Sequence, residues 1–179
     1  AERIDVTVRA FDGPRTEADV PAIPGSDPKG SLTVVGYDTP AELKDANAAL
    51  KTFGVDLQIA NDVDADIIHA HTWYACLAGR LAQQLHEVPL VITAHSLEPF
   101  RPWKKEQLGG GYNLSSWAEK DAYEHADGII AVSGGMKEDI LAAYPNVDPD
   151  KVYVVYNGIT MDDFATPADD DPAWGVFDR

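Results

Sequence analysis

"DIIHAHTWYACLAGRLAQQLHEVPLVITAH", residues 66–95, holds two short apolar runs on either side of a stretch with helical periodicity. The first run, "DIIHAH", and the last, "PLVITAH", have the length and the isoleucine and valine content of buried strands. Between them Leu77, Leu81 and Leu85 recur every four residues, the inner stripe expected of an amphipathic helix. Strand, helix and strand in so short a span make a βαβ unit, and a helical crossover of this kind joins parallel strands.

The same rhythm continues outward. Toward the C-terminus, Ser116 and Glu119 read as a capping box for a helix ending near Ala126, and "GIIAVS" follows as a strand. A helix carrying Met136, Ile140 and Tyr144 is stopped by Pro145, and "KVYVVYN" is the last strand. Toward the N-terminus, "RIDVTVRAF" alternates Ile4, Val6 and Val8 with Asp5, Thr7 and Arg9, the period of a half-buried strand. Residues 12–30, with four prolines and three glycines, read as a long irregular loop, and "SLTVVGY" as a second strand. "TPAEL" then opens a helix with Thr39 as N-cap, Pro40 at the first position, Glu42 closing a box, and Leu43, Leu50 and Phe53 facing inward. Near-continuous apolar strands alternating with amphipathic helices predict an α/β, Rossmann-like three-layer domain with a mostly parallel sheet covered on both faces. It is expected to span residues 1–164, with the acidic, proline-bearing stretch 165–179 as a linker.

Composition narrows the function. With 30 acidic and 14 basic side chains the formal charge is -16, which repels nucleic-acid backbones and anionic lipid surfaces. Cys76 is the only cysteine, so neither an intrachain disulfide nor a thiolate zinc cluster can form, and a reducing cytoplasm fits. There is no secretory leader pattern and no apolar run near ~18 residues.

In an open parallel sheet, ligands bind beyond the carboxyl ends of the strands. That rule selects His69, His71, His95, Ser133 and Asn157, each at the end of a predicted strand. His69 and His71 share a face of one strand, but no third ligand has telling spacing, so the pair reads as hydrogen-bonding and no metal is expected. After His95, "SLEPFRPWKK" has two prolines that break a helix and carries Arg101, Lys104 and Lys105 to the same edge. Three cations within five residues of so acidic a chain predict a pocket for phosphate or polyhydroxyl groups, beside the freely turning "GGGYN". "VSGGM", residues 132–136, exposes amides at a helix start, a second anion cradle. Walker, dinucleotide and nucleophile-elbow motifs are all absent.

"DADIIHAHTWYACLAGRLA", the stretch from "PLVITAHSLEPFRPWKKEQLGGGY" through "SGGMKEDIL", and "VYVVYNGI" resemble the N-terminal domain of retaining GT-B glycosyltransferases of family 4. Within that family the chain is most similar to the actinobacterial glycogen synthases, from roughly Ile4 to Phe164, and "HSLEPFRPWKKEQLGGGY" is the specific part. The resemblance implies transfer of glucose from ADP-glucose or UDP-glucose to an α-glucan or glucose 1-phosphate, in the cytoplasm and without metal or cofactor. It places His95 on the donor hexose and Arg101, Lys104, Lys105 and Tyr112 on the acceptor side, with His71, Thr72, Ser133 and Asn157 lining the cleft. Many glycogen synthases carry an acid where this chain has Thr72.

The resemblance also implies missing parts: the family's first strand and glycine-rich loop before Ala1, and a nucleotide-binding half beyond Arg179. The fragment alone is therefore expected to be inactive. The strands flanking the absent one should pair directly or receive a strand from elsewhere, and exposed edges favour self-association. A non-catalytic sugar- or anion-binding domain, or a transferase using GDP-mannose or UDP-N-acetylglucosamine, remain the alternatives.

Overall fold

The computed structural model describes residues 4–11, 13 and 32–158. Strands β1 (Val6–Ala10) and β2 (Leu32–Gly36) pair in parallel and form a sheet of their own. Helix α1 (Ala48–Asn61) leads to β3 (Ile68–His71), α2 (Trp73–His86) and β4 (Leu90–Ala94). A short helix α3 (Lys104–Leu108) and the longer α4 (Gly111–His125) precede β5 (Gly128–Ala131), α5 (Gly134–Ala143) and β6 (Val152–Val154). The last four strands are parallel and stand in chain order, β3-β4-β5-β6. Successive right-handed crossovers in one direction put their helices on one side. On that side Ala70, Leu90, Ile92, Ala94, Ile129, Ala131 and Val152 pack with Cys76 of α2, Tyr123 of α4 and Ile140 of α5. On the opposite side Thr93 is buried and Val91 and Ile130 half-buried, while His69, His71 and Tyr153 are exposed.

The expected strands all form, but two helices differ from their predicted inner faces and a third from its predicted start. "TPAEL" makes only a turn of 3-10 helix, Ala41–Leu43, and Thr39 caps nothing. The helix proper starts after Asn47, whose side chain accepts the Ala49 N–H at 2.9 Å. Within it Ala49, Val55, Asp56 and Ile59 face inward, while of the predicted stripe Leu43 and Phe53 are half-buried and Leu50 is 42% exposed. In α2 the buried residues are Cys76, Ala78, Gly79 and Ala82, with Leu77 and Leu81 half-buried and Leu85 62% exposed. Small residues win because the helix lies close on the sheet: a Cβ at Gly79 would sit 2.8 Å from the Leu90 side chain.

Helix α4 begins at Gly111, ahead of the predicted Ser116 cap, and Glu119 turns into the core. Gly111 is buried against Asn47, where a Cβ would come within 2.4 Å of Oδ1, so part of the glycine run serves close packing. Nearly all of the 12–30 loop and the whole 165–179 linker lie outside the described residues.

Candidate active site

The carboxyl ends of β3 and β4 bring two histidines into contact. His71 ends β3, and His95 follows Ala94 at the end of β4. Their rings stack at 5.4 Å and 20°, and His71 Nδ1 lies 3.1 Å from His95 Nε2. Behind them the His69 ring stands 4.3 Å from His71, and its Nε2 is 2.7 Å from the buried Thr93 hydroxyl. Partial burial pushes His69 and His71 below the usual histidine range, and the neighbouring imidazoles add to the effect. Among the described residues no group of three or more His, Cys, Asp or Glu is placed to hold a metal ion.

Thr72 turns the chain from β3 into α2 with φ 64 and ψ 169, a region otherwise nearly reserved for glycine. Its Oγ1 is buried with no hydrogen-bond partner among the described residues, while its carbonyl accepts the Ala75 N–H and the Cys76 S–H. The strained, β-branched Thr72 directly follows the strand-end His71.

The loop after His95 is held by carboxylates that sequence reasoning missed. Residues Glu98–Phe100 form a 3-10 turn and the Glu98 side chain is fully buried. Its Oε1 accepts from Lys104 Nζ at 2.8 Å and its Oε2 from the Ser115 hydroxyl at 2.7 Å. Its own N–H donates to Glu119 Oε1 at 2.7 Å, and its carbonyl accepts the Tyr112 hydroxyl at 2.8 Å. The Tyr144 hydroxyl also donates to Glu119, whose carboxyl is pushed up to about 7, chiefly by burial. Nothing in the sequence separates these two glutamates from solvent-facing ones, because their burial depends on α4 and α5 arriving beneath the loop.

This network sorts the predicted cations. Lys104 is committed to Glu98 and lies 5.6 Å over the Trp73 ring. Tyr112 is committed to the Glu98 carbonyl. Among the described residues Arg101 makes one hydrogen bond, to the Ser96 hydroxyl at 3.2 Å, and Lys105 is exposed without an ion pair. Ser133 caps α5 by accepting the Met136 N–H at 3.0 Å. Asn157 is exposed just past β6, and neither Ser133 nor Asn157 hydrogen-bonds to the histidines.

The sequence pattern that defines Glycosyltransferase Family 4 matches residues 1–163. The chain belongs to that family. Among its relatives, the alpha-maltose-1-phosphate synthase of Mycolicibacterium smegmatis is 58% identical over 118 residues, 65% of this chain and 30% of the relative. The enzyme of the same name from Mycobacterium tuberculosis is 53% identical over 124 residues, 69% of this chain and 32% of the relative. A D-inositol 3-phosphate glycosyltransferase of Mycobacterium sp. (strain KMS) is 34% identical over 58% of this chain and 24% of its own. This glycosyltransferase family 4 chain thus spans about a third of the two synthases, 30% and 32%. The crystal structure of Anabaena Alr3699/HepE in complex with UDP superposes with a TM-score of 0.55 at 18% identity, covering 92% of this chain and 47% of that one. That likeness is one of fold: an α/β, Rossmann-like domain with parallel strands, matching one half of a GT-B glycosyltransferase. No helix among the described residues is long and apolar enough to cross a membrane.

Proposed function

We propose that this chain forms one wall of the cleft in a retaining glycosyltransferase that moves glucose from a sugar nucleotide to a sugar phosphate. The observation that carries the reading is the strand-end edge, where His95 opens a basic loop locked to the core through Glu98. His95 is assigned to the donor hexose, with His71, Thr72, Ser133 and Asn157 along the cleft wall. Arg101 and Lys105, the loop cations without a carboxylate partner among the described residues, are assigned to the acceptor phosphate through charge-assisted hydrogen bonds. Lys104 and Tyr112 shape the loop from within and support that contact indirectly.

Glucose 1-phosphate is the favoured acceptor, because joining glucose to it by an α-linkage yields a maltose 1-phosphate, the product named in two relatives at over 50% identity. ADP-glucose is the favoured donor and UDP-glucose the second choice. The glycogen-synthase variant of the reading, in which a glucan end accepts the glucose, uses the same donor contacts and differs only on the acceptor side.

Two measurements on the intact protein test the assignment. His95→Ala should lower turnover by roughly 100–1,000-fold, the usual loss when an oriented transition-state donor is removed. Wild-type turnover in a folded His95→Ala protein overturns the donor-side assignment. Arg101→Ala with Lys105→Ala should impair use of glucose 1-phosphate far more than use of a neutral glucan. Equal losses on both acceptors would show that the two cations serve loop structure instead.

A further inference from the structure

We infer that His71 is a positioning residue for His95, fixing both its ring and its tautomer through one proton that the two imidazoles share. The inference rests on the reading of His95 as the donor-facing histidine, but its geometry stands apart from that reading. His71 Nδ1 and His95 Nε2 face each other at 3.1 Å, and the rings are stacked. A contact of this kind holds one hydrogen between the two nitrogens. Two hydrogens would collide, and none would set two lone pairs against each other.

His71 is itself held from behind. It pairs with Thr93 across the β3–β4 ladder, and its ring lies against His69, which is tied to the Thr93 hydroxyl. On the other side the chain leaves the strand at Thr72 in a strained conformation. The three rings therefore form a row anchored on a buried threonine, with His95 at its free end. His71 Nε2 and His95 Nδ1 have no hydrogen-bond partner among the described residues.

The proton count has a consequence for the ligand. If the shared hydrogen sits on His71 Nδ1, neutral His95 must carry its own hydrogen on Nδ1 and offers a donor there. If it sits on His95 Nε2, then His95 Nδ1 is an acceptor. In either case the neutral rings adopt the same tautomer, and the character of the free His95 nitrogen is decided jointly with His71. The titratable groups acting on His71 are His69 on its own strand and His95 beyond β4, and burial and both rings disfavour its cation. The nearby loop cation Lys104 is neutralised by Glu98. Only when both rings carry two protons would two N–H groups stand face to face, so the shared-hydrogen contact is lost in the doubly protonated pair.

Nitrogen-15 NMR of the histidine rings in the intact wild-type protein tests this without any variant. At neutral pH, His71 and His95 should show the same tautomer, with one hydrogen-bonded ring proton between them. Opposite tautomers, or two rings exchanging independently, would overturn the inference. Kinetics give a second readout. His71→Phe should lower kcat by roughly 10–100-fold, the usual loss when a group that orients a reacting ring is removed. His71→Asn, which restores a polar group near Nδ1, should recover part of that loss. In a His95→Ala background His71→Phe should cost nothing further, because a positioning residue acts only through the group it positions. Multiplying losses would mean that His71 acts independently. Matching tautomers beside a fully active His95→Ala protein would instead retain the proton sharing and remove the functional reading of the site.

Discussion

Strands β1–β2 and strands β3–β6 are built from the same kinds of residue in the same parallel sense, and they are covered very differently. Val6 is 45% exposed and Val8 44%, whereas Leu90, Ile92 and Ile129 are at 0%. The four-stranded sheet has α2, α4 and α5 against one face and a lattice of short strands in consecutive order. The two-stranded sheet is attached at its ends. Phe11 packs edge-on against Tyr74 at 5.5 Å, and Phe11 and Tyr37 lean on Val55, Ile59 and Ala78. Arg9 bridges Tyr37 to Asp62 at the end of α1. Strand-forming residues thus made strands in both places, but burial followed the helices: even Ala70 and Val152, on the outer strands of the four-stranded sheet, are buried on the helix-covered face.

Helix α1 joins the two regions, and the largest expected effect lies within it. Asp56 is fully buried with no side-chain hydrogen-bond partner among the described residues, and burial pushes its carboxyl up to about 8 from 3.8 against the weaker opposing pull of the Ala78 backbone N–H. A carboxyl raised in the folded state gives stability that is complete below the unfolded value and is lost as pH rises toward about 8. Each unit of that gap corresponds to about 1.4 kcal/mol, so several kcal/mol should disappear across the range. Denaturant unfolding against pH should show this decline, and Asp56→Asn should flatten most of it, leaving a smaller slope from Glu119. A wild-type profile that is flat from pH 5 to 8 would break the picture of α1 as a joint between the sheets built around a buried, protonated Asp56.

Ile129→Ala in β5 should cost about 2–5 kcal/mol, the range for truncating a buried aliphatic side chain in a packed core. At the rim of the same sheet, Lys104→Met should cost about 2 kcal/mol, because the buried Glu98 loses a charge-assisted hydrogen bond while keeping Ser115. Equilibrium unfolding at one pH measures both. The smallest effect belongs to the other sheet: Val8→Thr should fall within about 0.5 kcal/mol, as expected for a solvent-facing position. A Val8→Thr loss as large as that of Ile129→Ala would erase the contrast between the sheets.

Hydrogen exchange sharpens the contrast further. β1 pairs only with β2, and β3 only with β4, so the direct β1–β3 pairing considered from the sequence does not occur among the described residues. In this chain the amides of Val6–Ala10 should exchange well before those of Leu90–Ala94. We propose that a further strand fits between β1 and β3 in the intact protein, and protection of Val6–Ala10 should then rise. Equal protection in both settings would mean that the two sheets are independent units.

The strand-end rule located His71 and His95 because period and turn signals are local, and "DIIHAH" and "PLVITAH" carry them within a few residues. The glycosyltransferase family was legible for the same reason, since "HSLEPFRPWKKEQLGGGY" is a continuous stretch. The inner faces of α1 and α2 were not legible. Leucine spacing marks an apolar stripe, but the sheet was approached through Gly79 and Ala82, and only contact distance decides between a large and a small residue at such a surface.

Taken alone, the sequence determined the order of the six strands, their parallel sense, and the strand ends on which His71 and His95 stand. All three follow from periodicity and from the chirality of crossovers, which are properties of the local chain. The tertiary structure decided which charges are free. Lys104 and Lys105 are adjacent and chemically identical, and only the folding of Glu98 onto α4 pairs the first and leaves the second to solvent. It likewise decided that His71 and His95, twenty-four residues apart, meet ring to ring. Such pairings depend on where separate elements come to rest in space, and no local pattern records that.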